Sequence, residues 1–378
     1  MVSYWQQSAW FNHTDIAIIG SGIVGLNAAI HIKRLKPALR VSLFEKGPIP
    51  AGASSRNAGF ATFGSVSELL DDLSKQPSQQ VWELAKKRFS GLQLLRKSLG
   101  DEAMRYEALG GYEVFNSADE FERYGKHLPE INEALHAFAG LRDTFSISEK
   151  TNESFGFKGF SGFLFNQHEG LIHSGMMLKA LIQKAREIGV ELFYGFDLNS
   201  IEQENGTALL RFKNPELSLK CGTVLICTNG FAGDLIPDLD LKPARGLVLV
   251  TESIQNLKMR GAFHHNKGYD YFRHIEDRVL LGGGRNLDID GETSTADLVN
   301  PKILDYLKTL LYEQIIPGIN VKVEFTWTGT MGVGQSKEPI IKKVGESLYC
   351  AVRMGGMGVA LGSQTGLDAA ELLMNDFT

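Results

Sequence analysis

The chain has 378 residues, and 39 lysines and arginines against 44 aspartates and glutamates give it a net charge of −5. With 43% hydrophobic and 22% charged residues, the composition excludes a disordered chain, and the acidic balance argues against a nucleic-acid-binding protein. No run of 18 apolar residues and no secretory signal is present, so we expect no membrane span and a cytoplasmic location. The three cysteines lack metal-ligand spacing, which predicts reduced core thiols and no metal site.

The N-terminal segment predicts a βαβ unit. An apolar strand at 15–19 ends at a glycine, a helix at 23–36 stops before Pro37, and a second strand covers 40–44. Strands that are apolar on both faces are typical of parallel sheets covered by helices. The chain therefore opens with a unit typical of α/β proteins.

The turn between this strand and helix has the sequence GSGIVG at 20–25, which fits the pattern GxGxxG. Gly20 allows the tight turn, Gly22 lets the backbone approach a pyrophosphate, and Gly25 lets helix and strand pack closely. The pyrophosphate would lie at the helix N-terminus, where free N–H groups favour an anion. Glu45, at the end of the second strand, can accept hydrogen bonds from ribose hydroxyls. The unit therefore predicts a dinucleotide site without a 2′-phosphate.

Farther along the chain, segments with alternating helices and strands interleave with segments typical of an antiparallel sheet. Helices are predicted at 66–99, 128–141 and 174–188, the last with Ser174 as N-cap, and strands at 111–115, 190–194, 207–212 and 222–228. From about 240, alternation predicts antiparallel strands at 246–252, 269–274, 278–283 and 321–328, with a helix at 301–311 and then a strand at 348–352 and a helix at 363–374. This order predicts an α/β fold in which a discontinuous Rossmann-like domain carries an inserted substrate domain built on a mostly antiparallel sheet.

Two further segments are candidates for contacts to a flat ring. The sequence ASSRNAGF at 53–60 is small and polar, and its Arg56 could pair with a phosphate. The sequence RMGGMGV at 353–359 joins the last strand to the last helix and exposes N–H groups that can stabilise negative charge. An ordinary surface turn is the alternative for each segment.

Tyr269, Tyr271 and Arg273 alternate along one predicted strand and therefore share a face. They form either the wall of a substrate pocket or the exposed face of a sheet. No Ser/His/Asp elbow and no HExxH motif is present. Five histidines lack the spacing of metal ligands and are expected to be hydrogen-bonded or solvated, namely His168, His173, His264, His265 and His274.

Taken in order, these segments resemble the FAD-dependent oxidoreductases of the D-amino-acid oxidase and glycine oxidase superfamily, and most of all its gamma-glutamylputrescine oxidase-like branch. The resemblance spans nearly the whole chain. Besides the glycine turn at 20–25 with Glu45 and the loop at 55–60, it rests on the sequences SYW at 3–5, ICTNGF at 226–231, PARG at 243–246, YFR at 271–273, LGGGR at 281–285 and WTG at 327–329.

The resemblance implies that the chain binds FAD, with the backbone of Leu198 at the adenine and the flavin ring between the loop at 55–58 and the final glycine loop. The implied cofactor contacts are Gly20, Gly22, Ile23, Val24, Gly25, Glu45, Lys46, Ser55, Arg56, Asn57, Ala58, Leu198, Thr228, Gly230, Gly355, Gly356, Met357, Gly358 and Val359. No cysteine or histidine matches a covalent attachment position, so the FAD is expected to be non-covalent. The implied FAD-binding domain covers 1–84, 158–235 and 329–378, and the substrate domain covers 85–157 and 236–328.

The chain departs from the family pattern at the substrate site. After WTG, glycine oxidase-like members carry an Arg-Pro pair whose arginine clamps a substrate carboxylate, but this chain has Met331 and Gly332. In the final loop, Arg353 replaces a glycine and Met357 replaces a histidine. Arg353 either supplies the clamp from another direction or pairs with a structural acid. The candidate substrate-pocket residues are Tyr269, Tyr271, Arg273 and Arg353.

Together these features predict FAD-dependent oxidation of the C–N bond of an amine or amino acid, with hydride transfer to flavin N5 and hydrolysis of the imine. The expected partners are a small-molecule substrate and oxygen or another electron acceptor. The missing clamp leaves oxidation of a hydroxy acid or polyol phosphate as one alternative. The departures from the family pattern at Met331 and Met357 leave a second alternative, a flavin-binding module without catalytic activity.

Overall fold

The computed structural model describes residues 3–376, which form two eight-stranded sheets and one two-stranded sheet. Five neighbouring strands of the first sheet are parallel, as the βαβ unit predicts. In spatial order this sheet contains Ile340–Gly345, Leu348–Val352, Glu216–Ile226, Thr14–Ile19, Val41–Glu45 and Glu191–Tyr194. Two antiparallel strands extend it from Glu216–Ile226, first Thr207–Asn214 and then Asp197–Glu204.

The second sheet is antiparallel except at one position, where Ala262–His265 runs parallel to Gly111–Phe115. Its order is Val323–Val333, Lys242–Thr251, Arg278–Gly283, Asp270–Ile275, Ala262–His265, Gly111–Phe115, Gly162–Asn166 and Phe145–Ile147. The small sheet joins Phe60–Ala61 to Gly170–Leu171.

Helices cover both sheets and fill the space beside them. The α-helices are Tyr4–Ala9, Ile23–Leu35, Ala53–Arg56, Val66–Leu73, Ser78–Leu99, Ala118–Gly125, Leu128–Ala139, Asn152–Phe155, Ser174–Glu187, Pro301–Leu310 and Gly358–Asn375. Shorter turns of other helix types lie at Glu102–Met104, Asn229–Asp234, Arg285–Leu287 and Leu311–Ile315. Within residues 3–376, none of these helices has both the length and the apolar character that a bilayer span requires.

The first and last long helices pack against each other on the parallel sheet. A Cβ atom on Gly362 would lie 2.5 Å from Ile23, and one on Gly366 would lie 2.7 Å from the Cβ of Asn27. Larger residues at these two glycines would force the helices apart. Because each helix follows a parallel strand, both begin at the carboxyl edge of the sheet, where α/β proteins bind their ligands.

The structure confirms the predicted α/β fold and corrects three element boundaries. The helix predicted at 66–99 is two helices, because Pro77 starts a new one and disfavours helical backbone before it. The final helix begins at Gly358, five residues earlier than predicted. His173 caps the helix Ser174–Glu187, since its Nδ1 accepts from the Met176 amide. Ser174 is therefore not the N-cap but the first helical residue.

Three elements do not coincide with the predicted domain boundaries, which stay a prediction. Gly162–Asn166 belongs to the second sheet, although it follows the predicted boundary at 158. The helix Ser78–Leu99 and the strand Val323–Val333 each run across a predicted boundary, at 84 and 329 respectively. The extreme ends of the predicted ranges, residues 1, 2, 377 and 378, lie outside the described residues.

Candidate active site

A cavity of about 1040 Å³ is lined by residues of both large sheets and by both glycine turns. This volume is at the top of the usual range for small-molecule sites, so it has room for a dinucleotide and a substrate. Most of the predicted cofactor contacts line it: Gly20, Gly22, Ile23, Val24, Glu45, Lys46, Arg56, Asn57, Ala58, Leu198, Thr228, Gly355, Gly356, Met357, Gly358 and Val359. Gly25, Ser55 and Gly230 are not among the lining residues.

The first glycine turn leaves no space for side chains at Gly20 and Gly25. Gly20 has a φ of +105°, and a Cβ on Gly25 would lie 2.0 Å from the Gly20 carbonyl oxygen. Gly25 therefore acts through helix–strand packing, as the motif predicts. The helix that begins at Ile23 has no side-chain cap on Gly22, and Ser54 rather than Ser55 reaches it, accepting from the Ile23 amide at 3.0 Å. The turn thus presents a helix N-terminus to the cavity, which favours an anion.

The next strand supplies polar groups beside this turn. Glu45 accepts from the Ser21 amide at 3.1 Å and from the Ser21 hydroxyl at 2.8 Å, and Glu45 lines the cavity.

The Thr228 hydroxyl is shielded from solvent and has no hydrogen-bond partner in the described chain. A buried hydroxyl without a partner costs free energy, so a polar ligand in the cavity would satisfy it. Gly230 instead packs against the Met331 backbone, 2.4 Å from where its Cβ would be.

Asn57 fixes the loop at 53–60, which is predicted to contact the flavin ring, through hydrogen bonds of its side chain. Its Oδ1 accepts from the Gly59 amide at 2.8 Å and from the Ser174 hydroxyl at 2.7 Å, and its amide donates to the Ser54 carbonyl at 2.8 Å. These bonds fix the backbone that lines the cavity. A flat ring can therefore rest on a rigid surface.

Arg56 lines the cavity and also binds groups of the second sheet. Its Nη1 donates to Asp297 at 2.7 Å and to the Thr328 carbonyl at 2.9 Å. In turn, the Trp327 indole donates to the Arg56 carbonyl at 2.9 Å. The side chain therefore attaches the loop to the second sheet, and pairing of Arg56 with a phosphate stays a prediction.

The final glycine loop turns the chain from the last strand into the last helix. Gly355 and Gly356 have φ values of +55° and +85°, which favour glycine. Met357 provides no side-chain cap for the helix that begins at Gly358, so its first N–H groups are free to face the cavity. Like the first glycine turn, this loop lies between a strand and a helix and lines the cavity.

Arg353 pairs with an acidic residue of the protein, which favours the second of its two predicted roles. Its Nη1 donates to the Asp240 carboxylate at 2.5 Å and to the Asp240 carbonyl at 3.0 Å, while Nε donates to the Glu338 carbonyl at 2.8 Å. Its guanidinium is buried and does not line the cavity. The backbone of Arg353 has a φ of +68°, in the left-handed region that residues other than glycine rarely adopt.

This contact set yields a stability prediction. We expect Arg353→Gln to lower the free energy of unfolding by about 1–3 kcal/mol, because Asp240 and two carbonyls lose a charged donor. The KM for substrate should not change, since the guanidinium lies outside the cavity. Urea denaturation and steady-state kinetics check the two parts, and a raised KM at unchanged stability would restore the clamp interpretation.

Of the three residues predicted to alternate along one strand, Tyr271 and Arg273 lie on the strand Asp270–Ile275, whereas Tyr269 lies in the turn before it. Tyr271 and Tyr269 line the cavity. Burial raises the pKa of Tyr271 to about 12, so its hydroxyl stays protonated. Arg273 is buried instead and donates to the carbonyls of Gly59 and Ile172 at 2.9 and 2.8 Å. Arg273 therefore holds the ring-contacting loop against the second sheet and does not reach the cavity.

His264 lines the cavity, although the sequence analysis expected only a hydrogen-bonded or solvated histidine there. It is 5% exposed, and its Nε2 lies 2.8 Å from the Glu169 carboxylate. Burial strongly opposes a charged ring, but Glu169, Glu68 and Glu113 together outweigh burial and raise the pKa of His264 to about 9. The strand Ala262–His265 carries no alternating pattern, so no sequence signal pointed to this side chain.

The residues present fit FAD. Gly20 and Gly25 have no room for side chains, two helix N-termini face the cavity, and the Thr228 hydroxyl lacks a partner within residues 3–376. Gly20, Gly22, Glu45 and Thr228 would hold the adenosine and pyrophosphate portion. Asn57, Ala58 and the final glycine loop would hold the ring.

Comparison with known proteins supports this assignment. The family model described as DAO, FAD dependent oxidoreductase, matches residues 15–372. The chain is 25% identical over 387 residues to gamma-glutamylputrescine oxidoreductase from Escherichia coli (strain K12), and 21% identical over 383 residues to the probable oxidoreductase OrdL from Haemophilus influenzae. Each alignment covers 96% of this chain and 84% of the relative.

The fold is also that of a solved glycine oxidase. The crystal structure of glycine oxidase from Geobacillus kaustophilus superimposes with a TM-score of 0.76 and 17% identity, covering 96% of this chain and 95% of that one. This likeness shows a shared fold, and the family match extends over nearly the whole sequence. The chain therefore belongs to the DAO family and is an FAD-dependent oxidoreductase.

Proposed function

We propose that this protein oxidises the C–N bond of an amine or amino acid by hydride transfer to flavin N5, after which the imine is hydrolysed in water. The observation that carries the proposal is that both glycine turns and the Tyr271 strand line one cavity. Two of the proteins it resembles are named for substrates that contain an amino group, gamma-glutamylputrescine and glycine. Bound FAD would supply the two-electron acceptor.

The chain's own residues supply position and electrostatics. Tyr269 and Tyr271 line the substrate side and would orient the carbon that loses hydride. Alignment of reacting atoms at about 3–3.5 Å accounts for several kcal/mol of the barrier. The free N–H groups at the start of the helix Gly358–Asn375 would offset negative charge that develops nearby. The interactions of Asn57 keep the opposite face of the cavity rigid.

Flavin spectroscopy tests the proposal. The purified protein is expected to show the absorption band of oxidised flavin near 450 nm. An amine or amino acid that reduces the flavin is expected to bleach this band under argon. Acid precipitation should release all of the yellow colour, because we propose non-covalent attachment. Readmitting air then distinguishes oxygen from another acceptor by the rate at which the band returns.

Hydroxy acids and polyol phosphates serve as the control substrates in the same assay. They test the alternative that Met331 motivates, because this residue stands where the family's clamp arginine would be. Bleaching by these compounds and by no amine would overturn the proposed C–N oxidation. A protein that takes up no FAD would overturn the proposal as a whole.

A further inference from the structure

The helix Tyr4–Ala9 does not pack its side chains against the rest of the described chain. It has six residues, all of them are exposed, and none of its side chains is buried. Ser3 and Gln6 form a capping box at its start, which favours the helical conformation. An isolated helix needs about 12–15 residues to be even marginally stable in water. A contact with a surface outside residues 3–376 would therefore stabilise this helix.

Large apolar side chains are concentrated on this helix and near it. Tyr4 and Trp5 are each 75% exposed, and their ring centroids lie 5.3 Å apart. Trp10 is 53% exposed, and Leu35 is 50% exposed. Tyrosine and tryptophan have an apolar ring and a polar group, so they favour the boundary between lipid and water. These four side chains are referred to below as the aromatic patch.

The aromatic patch and the cavity lie at opposite edges of the parallel sheet. Arg40 precedes the strand Val41–Glu45, and its Nη2 donates to the carbonyls of Ala9 and Trp10 at 3.2 and 3.1 Å. These bonds place the patch at the amino edge of the sheet. The helix Ile23–Leu35 begins at the cavity and ends at the patch, and its 13 residues span about 20 Å. A surface that covers the patch would therefore leave the cavity free.

Basic side chains lie beside the aromatic patch, at the ends of two neighbouring helices. Arg34 and Lys36 flank Leu35 in sequence, are exposed, and have no ion pair among residues 3–376. Burial, together with the nearby cations Arg34 and Lys184, lowers the pKa of His31 to about 4. The end of the helix that carries Lys184 therefore lies close to the end of the helix that carries Arg34.

The acidic residues of this edge are bound to other groups of the protein. The ranges 33–40 and 184–191 contain six lysines and arginines but two glutamates. Of these glutamates, Glu191 accepts from Arg40 at 2.9 Å and Glu187 accepts from Gln183 at 2.8 Å. Asp15, which also lies here, accepts from the Arg40 amide at 2.7 Å. The edge is therefore positively charged, although the whole chain has a net charge of −5.

We propose that this edge binds the surface of an anionic lipid bilayer, with the aromatic rings at the level of the headgroups and Arg34 and Lys36 beside lipid phosphates. A bilayer surface offers both an apolar layer for the rings and negative charge for the cations. A second copy of the chain fits less well, because a two-fold contact through this edge would bring like charges together. The inference goes beyond the proposed reaction, since it gives the enzyme a location and leaves its cavity open to water.

Cosedimentation of the FAD-loaded protein with vesicles tests the inference. The protein should bind phosphatidylcholine vesicles that contain about 30% phosphatidylglycerol and should not bind pure phosphatidylcholine vesicles. Binding should be lost when the salt concentration is raised from ~0.05 M to ~0.5 M, because salt screens the cations. Addition of the anionic vesicles should also shift tryptophan fluorescence to the blue, as Trp5 and Trp10 leave water.

Two double variants separate the contributions of the rings and of the charges. Trp5→Ser with Trp10→Ser should weaken vesicle binding about tenfold or more and remove the blue shift. Arg34→Gln with Lys36→Gln should weaken binding about 20-fold at low salt.

The matched controls change similar side chains on the second sheet and beside it. Phe325→Ser removes a ring that is 53% exposed, and Lys150→Gln with Lys158→Gln removes two exposed cations. Both controls should bind the anionic vesicles as the wild type does. All variants should keep their flavin and their turnover of a water-soluble substrate, because none of these residues lines the cavity. If the tryptophan variant is not obtained in folded form, the cation variant and the salt dependence still decide the question.

Absence of binding to the anionic vesicles, or equal binding to neutral ones, would overturn the inference. So would equal losses in the variants and in their controls. Without vesicle binding, a dimer that the tryptophan variant abolishes would assign the edge to a second copy instead, and binding of polyuridine RNA would assign it to nucleic acid. Flavin reduction by amines does not enter these measurements, so the inference and the proposed reaction can fail separately.

Discussion

Replacing Gly22 with aspartate is expected to abolish FAD retention while the protein still folds. A Cβ at this position would lie 2.8 Å from the Ser54 hydroxyl, which can rotate away, so the backbone need not move. The added carboxylate would lie where the helix N-terminus favours a pyrophosphate. Two like charges 4 Å apart repel by about 4 kcal/mol near a protein surface, which corresponds to about 1000-fold weaker binding.

The ratio of absorbance at 450 nm to absorbance at 280 nm after gel filtration measures this retention. Gly125→Asp is the control, because Gly125 ends a helix outside the cavity and has no atom within 4 Å of its Cβ position. The control should keep its flavin. A Gly22→Asp protein that stays yellow would contradict the assigned phosphate turn.

Replacing Glu292 with glutamine is expected to lower the free energy of unfolding by about 3–5 kcal/mol, because it leaves a buried arginine without its counter-ion. Arg245 donates to both oxygens of Glu292 at 2.8 Å, and the two side chains are 8% and 1% exposed. Arg245 also donates to the Ala296 carbonyl at 3.0 Å. These bonds hold the loop that carries Asp297, the partner of Arg56, so flavin retention should weaken as well.

Urea denaturation monitored by circular dichroism measures the loss. Glu202→Gln is the matched control, since Glu202 also accepts two bonds from one guanidinium, that of Arg211, but the pair is exposed. Because solvent screens this exposed pair, the free energy of unfolding of Glu202→Gln should be almost unchanged. Replacing both Arg245 and Glu292 with apolar residues should recover part of the stability, and equal losses in Glu292→Gln and in the control would contradict a buried ion pair.

The sequence alone predicts the elements whose signals are local. The glycine turn at 20–25 lies between a strand and a helix, and this order predicts its conformation and its place at the sheet edge. The alternating pattern likewise predicts the strand that carries Tyr271. Helix ends are less accurate, because the capping role of His173 and the early start at Gly358 depend on contacts that form only in the fold.

The roles of charged side chains could not be predicted in the same way. Arg56, Arg273 and Arg353 all lie in segments that contribute to the cavity, yet each is bound to an acceptor far away in sequence. A guanidinium satisfies whichever carboxylate or carbonyl the tertiary structure places beside it. The role of His264 depends on Glu169, which is 95 residues away, so its charge is a property of the fold.

The packing of Gly362 and Gly366 against the helix Ile23–Leu35 has a consequence for biosynthesis. The helix that completes the cavity begins at Gly358, so it is synthesised after the other segments that line the cavity. A nascent chain that lacks this helix has only the first glycine turn and the segments that follow it. Full binding of FAD is therefore expected only after the helix has left the ribosome and packed against Ile23–Leu35.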